Sequence, residues 1–167
     1  MDARSYLEQA PRLALTVELM QERLNEHRAA LDMLRSASLD GMPKGGSDPK
    51  KLETAIAEYE ELADAYVGEL LRWTALRRQA IDMLDRARAV LTDGGAHAIT
   101  LTHIDVLEAH YFGERLPYTA ERYGDRTVAS VLHLSERTVE RYAHDALEWL
   151  DYSRDLAGMP MVPICSE

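Results

Sequence analysis

The stretch PKKLETAIAEYEELADAYVGELLRWTALRRQAIDMLDRARAVLTDGG, residues 49–95, decides the fold. Leu52, Ile56, Tyr59, Ala63, Tyr66, Leu70, Trp73, Ala80, Leu84, Ala87 and Leu91 recur at spacings that alternate four and three, with one break at Arg77. That 3.5-residue period is the seam of a coiled coil. Asp48 followed by Pro49 supplies an N-cap acceptor and then a proline at the first helical position, and Asp93-Gly94-Gly95 supplies a glycine stop. A helix of about 45 residues reaches about 65–70 Å at 1.5 Å per residue, longer than a compact domain of this size accommodates. Tyr59, Tyr66 and Trp73 lie in the seam at heptad spacing and read as core, not as a platform for stacking bases.

Upstream, Tyr6, Ala10, Leu13, Val17, Met20, Leu24, His27, Leu31 and Leu34 keep the same period, with Leu15 and Leu19 widening the stripe. One helix over residues 5–36 is expected. Ser36–Pro49 (SASLDGMPKGGSDP), rich in Gly and Pro, ends it. Two long amphipathic helices joined by so short a connection should fold back as an antiparallel, coiled-coil-like hairpin over residues 1–95.

Downstream the elements shorten. Thr102-His103-Ile104-Asp105 resembles a capping box with Asp in place of Glu and opens a helix to Gly113. A loop with Pro117 and Gly124 follows, then a helical stretch at Thr127–Leu132, then a longer helix from Glu136 to about Tyr152. Residues 127–142, TVASVLHLSERTVERY, have the spacing of a helix-turn-helix. Ala129 is small where the helices cross, Leu134 closes the turn, and Val139 and Tyr142 face inward. His133 occupies the turn position where glycine is usual. Ser135 is placed to N-cap the second helix. The expected fold is all-α: the hairpin followed by a small helix-turn-helix domain over residues 99–153. Residues 154–167, ending in GMPMVPICSE, are expected to be a disordered tail.

With Val139, Tyr142, Ala146 and Leu150 inward, Glu136, Arg137, Glu140, Arg141 and His144 face outward, where a helix-turn-helix enters the major groove. Arg137 and Arg141 are the natural partners of guanine edges or phosphates, because guanidinium is a bidentate fork. Ser135 and Thr138 would fix the helix on the DNA backbone, and His144 would reach a phosphate. The same Arg-Glu pattern also suits an ordinary solvated face used in protein contact, since residues 114–144 hold five arginines and five acids.

The 167 residues are 46% apolar and 29% charged, which suits a soluble, helix-rich protein. The net charge of −10, similar in sign in both halves, argues against non-specific coating of nucleic acid or anionic membrane. It leaves room for a small DNA-reading patch. No apolar run reaches the roughly 18–20 residues of a membrane helix, and the start of the chain has no signal-peptide core. Cys165 is the one cysteine, so neither a disulfide framework nor a cysteine zinc site is expected. A cytoplasmic location follows.

Six histidines, 27, 97, 103, 110, 133 and 144, raise the question of a metal. His103 and His110 could share a helix face, but two imidazoles without a third ligand make a poor site. Gly45-Gly46 and Gly94-Gly95 lack the strand–loop–helix setting of a phosphate loop. No metal, no cofactor and no enzymatic activity are expected.

Ile104–Leu150, in the order IDVLEAHYFGERL … VASVLHLSERTVERYAHDALEWL, resembles sigma factor region four, the part that reads the upstream promoter element. SERTVERYAHDALEWL is its most specific piece. DGMPKGGSDPKKLETAIAEYEEL, preceded by a long helix, resembles the linker of the small RinA/ArpU-like phage transcriptional regulators. Together the similar stretches span about 110 of the 167 residues. Leu116–Arg126 stands as an insertion before the second helix.

The resemblance implies a promoter-binding, sigma-like activator of phage or prophage late genes, acting on double-stranded DNA. On that reading the long hairpin mediates self-association, as a dimer, or contacts RNA polymerase. Two alternatives stand beside it. One is a helical adaptor that never binds DNA. The other is a small terminase-like packaging subunit, which also combines a helix-turn-helix with oligomerising helices.

Overall fold

The computed structural model describes residues 2–39, 49–113 and 125–153. It is all-helical: α1 (Ala3–Leu7), α2 (Gln9–Leu39), α3 (Pro49–Leu91), α4 (Leu101–Phe112), α5 (Asp125–Leu132) and α6 (Glu136–Tyr152). The Gly/Pro-rich connection at 40–48, most of the Leu116–Arg126 insertion and the 154–167 tail lie outside the described residues.

α2 and α3 form the expected long pair. Ala14 and Val17 of α2 are buried with Trp73 of α3, and Leu13, Tyr66 and Leu70 close over them. Nearer the start of the chain, Tyr6 and Leu7 lie with Ala80, Met83, Leu84 and Ala87. Rising numbers on one side meet falling numbers on the other, so the helices run antiparallel. In the heptad row of α3, Trp73, Ala80, Leu84 and Ala87 are 7% exposed or less, the other members are half-buried, and Leu76 and Met83 are buried beside the row. Leu15 and Leu19 are each 50% exposed and lie behind α2, so they do not widen the seam.

The first helix is interrupted where one continuous element was expected. α1 ends at Leu7, Glu8 is a turn, and α2 starts at Gln9. Pro11 is the physical reason. It has no N–H for the Leu7 carbonyl, and its ring presses on that carbonyl, so it is tolerated only in the first turn of a new helix. α1 carries its own cap, with Asp2 accepting from Ser5 N–H at 2.7 Å.

α3 ends at Leu91, and Gly94 takes the left-handed conformation (φ 87) that a side chain would strain, as the Asp93-Gly94-Gly95 signal anticipates. α4 begins two residues before the expected Thr102 box. Thr100 is its N-cap, and His103 stands where a capping box has Glu or Gln. The His103 Nδ1 accepts from Thr100 N–H at 3.2 Å and lies 2.9 Å from the Thr100 hydroxyl. Imidazole serves because neutral Nδ1 is an acceptor at a carboxylate's reach.

The largest buried cluster spans the length of the sequence. Ala3, Tyr6 and Leu7 of α1 meet Ala80 through Ala87 of α3, Ile99 just before α4, Ile104 and Leu107 of α4, and Ala146, Leu147 and Leu150 of α6. Residues from the hairpin and from the helix-turn-helix region therefore share one core. Two polar ties reinforce it. Ala3 N–H donates to Asp151 Oδ1 at 2.8 Å, joining residues 148 positions apart. Arg88 of α3 reaches Asp85 and Asp105, each at 2.9 Å, and also Glu108, joining α3 to α4. Partial burial disfavours the Arg88 charge, but the three carboxylates prevail and hold the guanidinium protonated well above its ordinary range.

Candidate nucleic-acid interface

α4, α5 and α6 make a three-helix unit around a second cluster, in which Val106, Val128, Ala129 and Val139 are buried and Leu132, Leu134 and Tyr142 pack against them. α5 starts at Asp125, two residues before the expected stretch. Its end is a left-handed cap. His133 has φ 55, and Leu134 N–H donates back to the Ala129 carbonyl at 2.9 Å, the six-to-one bond of a Schellman motif. The chain thus makes, with a histidine, the sharp turn that glycine makes more easily.

Ser135 then caps α6. Its Oγ accepts from Thr138 N–H at 3.1 Å and lies 2.7 Å from the Thr138 hydroxyl. Losing such a cap costs about 1 kcal/mol. The two hydroxyls are coupled, so at most one of their protons is left to offer an external phosphate.

α6 divides cleanly. Val139, Ala146, Leu147 and Leu150 are buried, whereas Glu136, Arg137, Glu140, Arg141 and His144 are exposed. Tyr142, between the two faces, stacks on His103 with ring centroids 3.9 Å apart and planes 22° from parallel. The Arg141 guanidinium carbon lies 5.4 Å from the Tyr142 ring centroid, a cation–π contact that limits where the guanidinium can go. Burial pushes the His103 pKa below its ordinary value, Asp145 opposes the shift and Arg141 adds to it. A neutral His103 is the form that can accept from Thr100.

Beside α6 opens a cleft of about 780 Å³. Ser135, Arg137, Thr138, Glu140, Arg141 and His144 line it. Of the residues picked out by sequence, only Glu136 is not in its wall. His144 pairs with Glu148 at 3.6 Å, one turn on, which draws the imidazole toward that carboxylate.

Sequence reasoning missed five further members of the wall: His110 and Tyr111 from α4, Ala143 and Leu147 from α6, and Arg4 from α1. The α4 pair is hidden by ordinary core periodicity. Nothing local marks Arg4, because only the docking of α1 on α6 brings it near.

The cleft arginines differ in their partners from Arg88 and Arg12. Arg88 is surrounded by carboxylates and Arg12 pairs with Glu8 at 2.7 Å. Arg4, Arg137 and Arg141 form no ion pair among the described residues. Glu140 is the one carboxylate lining the cleft they share. A chain of net charge −10 thus places three guanidinium groups without an ion pair at one opening, with Asp2 close enough to feel the charge of Arg4.

Among the described residues, no three His, Cys, Asp or Glu side chains gather as a metal-binding group, and no helix is long and apolar enough to cross a membrane. Comparison with protein-family models, curated proteins and solved structures finds no match to this chain.

Proposed function

We propose that this protein is a sequence-specific double-stranded-DNA-binding transcriptional regulator that lays α6 in the major groove. The observation that carries the reading is the exposed, unpaired Arg137 and Arg141 on the Ser135-capped first turns of α6, opening on a cleft with a single carboxylate in its wall. In a helix-turn-helix those turns meet base edges. Each guanidinium offers two parallel donors to the O6 and N7 acceptors of guanine. Glu140 is placed to accept from a cytosine amino group, and Ser135 or Thr138 to hold a phosphate.

The resemblance to sigma region four and to the small phage regulators supports a late-gene activator that acts in the cytoplasm beside RNA polymerase. The half-exposed Leu15, Leu19, Val67 and Leu71 on the outer surfaces of α2 and α3 support self-association through the hairpin. A packaging subunit would share the helix-turn-helix but would assemble as a ring of many copies, so mass measurement in solution separates the two readings.

The direct test is selection. Purified protein is mixed with fragments tiling its own gene neighbourhood, and the retained DNA is sequenced. Enrichment of one or two tiles is expected for a specific regulator. Even recovery of all fragments, or of none, by a folded protein would overturn the reading.

A further inference from the structure

We infer that Arg4 is a phosphate-contacting residue and that α1 forms the second wall of a clamp on the DNA backbone. The inference rests on the DNA-binding reading above. Arg4 lines the cleft with Arg137, Arg141 and His144, yet it arrives from the opposite end of the chain. α1 is held firmly enough to place it. Ala3 and Leu7, on either side of Arg4, are fully buried, and Tyr6 is 4% exposed. The Ala3 N–H is fastened to Asp151 near the end of α6.

Fixing a cation costs conformational entropy, and a structural arginine recovers that cost through carboxylates, as Arg88 does. Arg4 forms no ion pair among the described residues, and the Asp2 carboxylate feels its charge only at longer range. An exposed guanidinium without an ion pair, carried on a fixed backbone and lining the same cleft as Arg137 and Arg141, matches the requirement of a polyanion. Its place beyond the base-reading turns of α6 suits a phosphate, because a residue on a separate element beside the groove meets the backbone first. The occupant is thus one strand's phosphodiester backbone, gripped between α1 and α6.

Phosphate contacts carry a signature that base contacts lack. Each one contributes about 0.9 to the slope of log affinity against log salt, and it acts equally on every sequence. Removing one contact therefore lowers affinity by about fifteenfold near 50 mM salt and by about fourfold near 200 mM.

Anisotropy titrations of the full chain would use the selected tile and a scrambled duplex of the same length. Arg4→Gln should weaken both by the same factor and flatten the salt slope by about one, while Arg4→Lys keeps most of both. Asp151→Ala removes a negative charge, which alone would strengthen binding to DNA. If α1 must be fastened, it should instead weaken binding and flatten the slope in the same way. Thermal melts confirm that each variant is folded.

An unchanged affinity and slope for Arg4→Gln, while Arg137→Ala/Arg141→Ala loses binding, would overturn the clamp and leave the α6 reading intact. A wild-type protein that binds neither duplex would overturn both.

Discussion

Tyr142 joins the helix-turn-helix core to Arg141, and Tyr142→Leu tests that link. Its ring lies between His103, stacked at 3.9 Å, and Arg141, 5.4 Å from the ring centroid, at the edge of the Val106–Val128–Val139 cluster. Leucine retains most of the apolar contact with that cluster but has no ring. The lost stack accounts for about 0.5–1.5 kcal/mol beyond area burial. The cation–π contact to the exposed Arg141 adds about 0.5–1 kcal/mol. Tyr142→Leu should therefore lower unfolding free energy by about 1–2.5 kcal/mol in a urea titration. A double-mutant cycle with Arg141→Gln should isolate a coupling of about 0.5–1 kcal/mol. With the stacked ring gone, the His103 imidazole gains water and its pKa moves back toward the ordinary histidine value, readable from its ring proton shifts. A loss under about 0.3 kcal/mol, zero coupling, and an unmoved His103 would together refute the stack as a positioning element.

Three further outcomes follow from the same contacts. Leu150 is fully buried in the cluster shared by α1, α3, α4 and α6, so Leu150→Ala should cost about 2–5 kcal/mol. Its urea midpoint should fall equally when read from Trp73 in the hairpin and from Trp149 in α6, whereas separate midpoints would show that the two regions do not share a core. His133→Gly relieves a left-handed side chain worth about 1–2 kcal/mol but loosens the unfolded chain by about 0.5–1 kcal/mol, so a net gain of about 0.5 kcal/mol is expected; a measured loss would mean the imidazole makes a stabilising contact. His103 is held neutral in the fold, so below its ordinary pKa of 6.5 the unfolded chain takes the proton first. Stability should decline as pH falls from there to the lowered folded pKa and then level off, with Asp145 opposing and Arg141 reinforcing the effect. A urea midpoint with the same pH profile in wild type and His103→Gln would contradict this.

The seams were legible because burial in a helix pair imposes a period, and a period survives in a single sequence. Trp73, Ala80, Leu84 and Ala87 lie in the core where the heptad puts them, and the helix-turn-helix unit follows its small, apolar and capping positions from Ala129 to Leu150. What escaped was non-periodic or non-local. Pro11 carries a clear break signal, but the apolar row runs through it and masks the division of α1 from α2. The Thr100–His103 box escaped because histidine is an unusual acceptor at that position, while Thr102 and Asp105 offered a more familiar pattern. Arg4 and Arg88 were out of reach for another reason. Both are solvated-looking charges in sequence, and only the packing of α1 on α6 and of α3 on α4 gives one its cleft and the other its three carboxylates.

The central claim is that Arg137 and Arg141 of α6 read DNA. It is tested most directly by the dissociation constant of the selected tile, measured by fluorescence anisotropy for wild type and Arg137→Ala/Arg141→Ala beside a scrambled duplex. Each lost guanine contact is worth about 1–3 kcal/mol, so the double variant should bind the tile about 30-fold or more weakly. Its preference for the tile over the scrambled duplex should shrink by a similar factor. A folded double variant that binds the tile as tightly and as selectively as wild type would contradict the account.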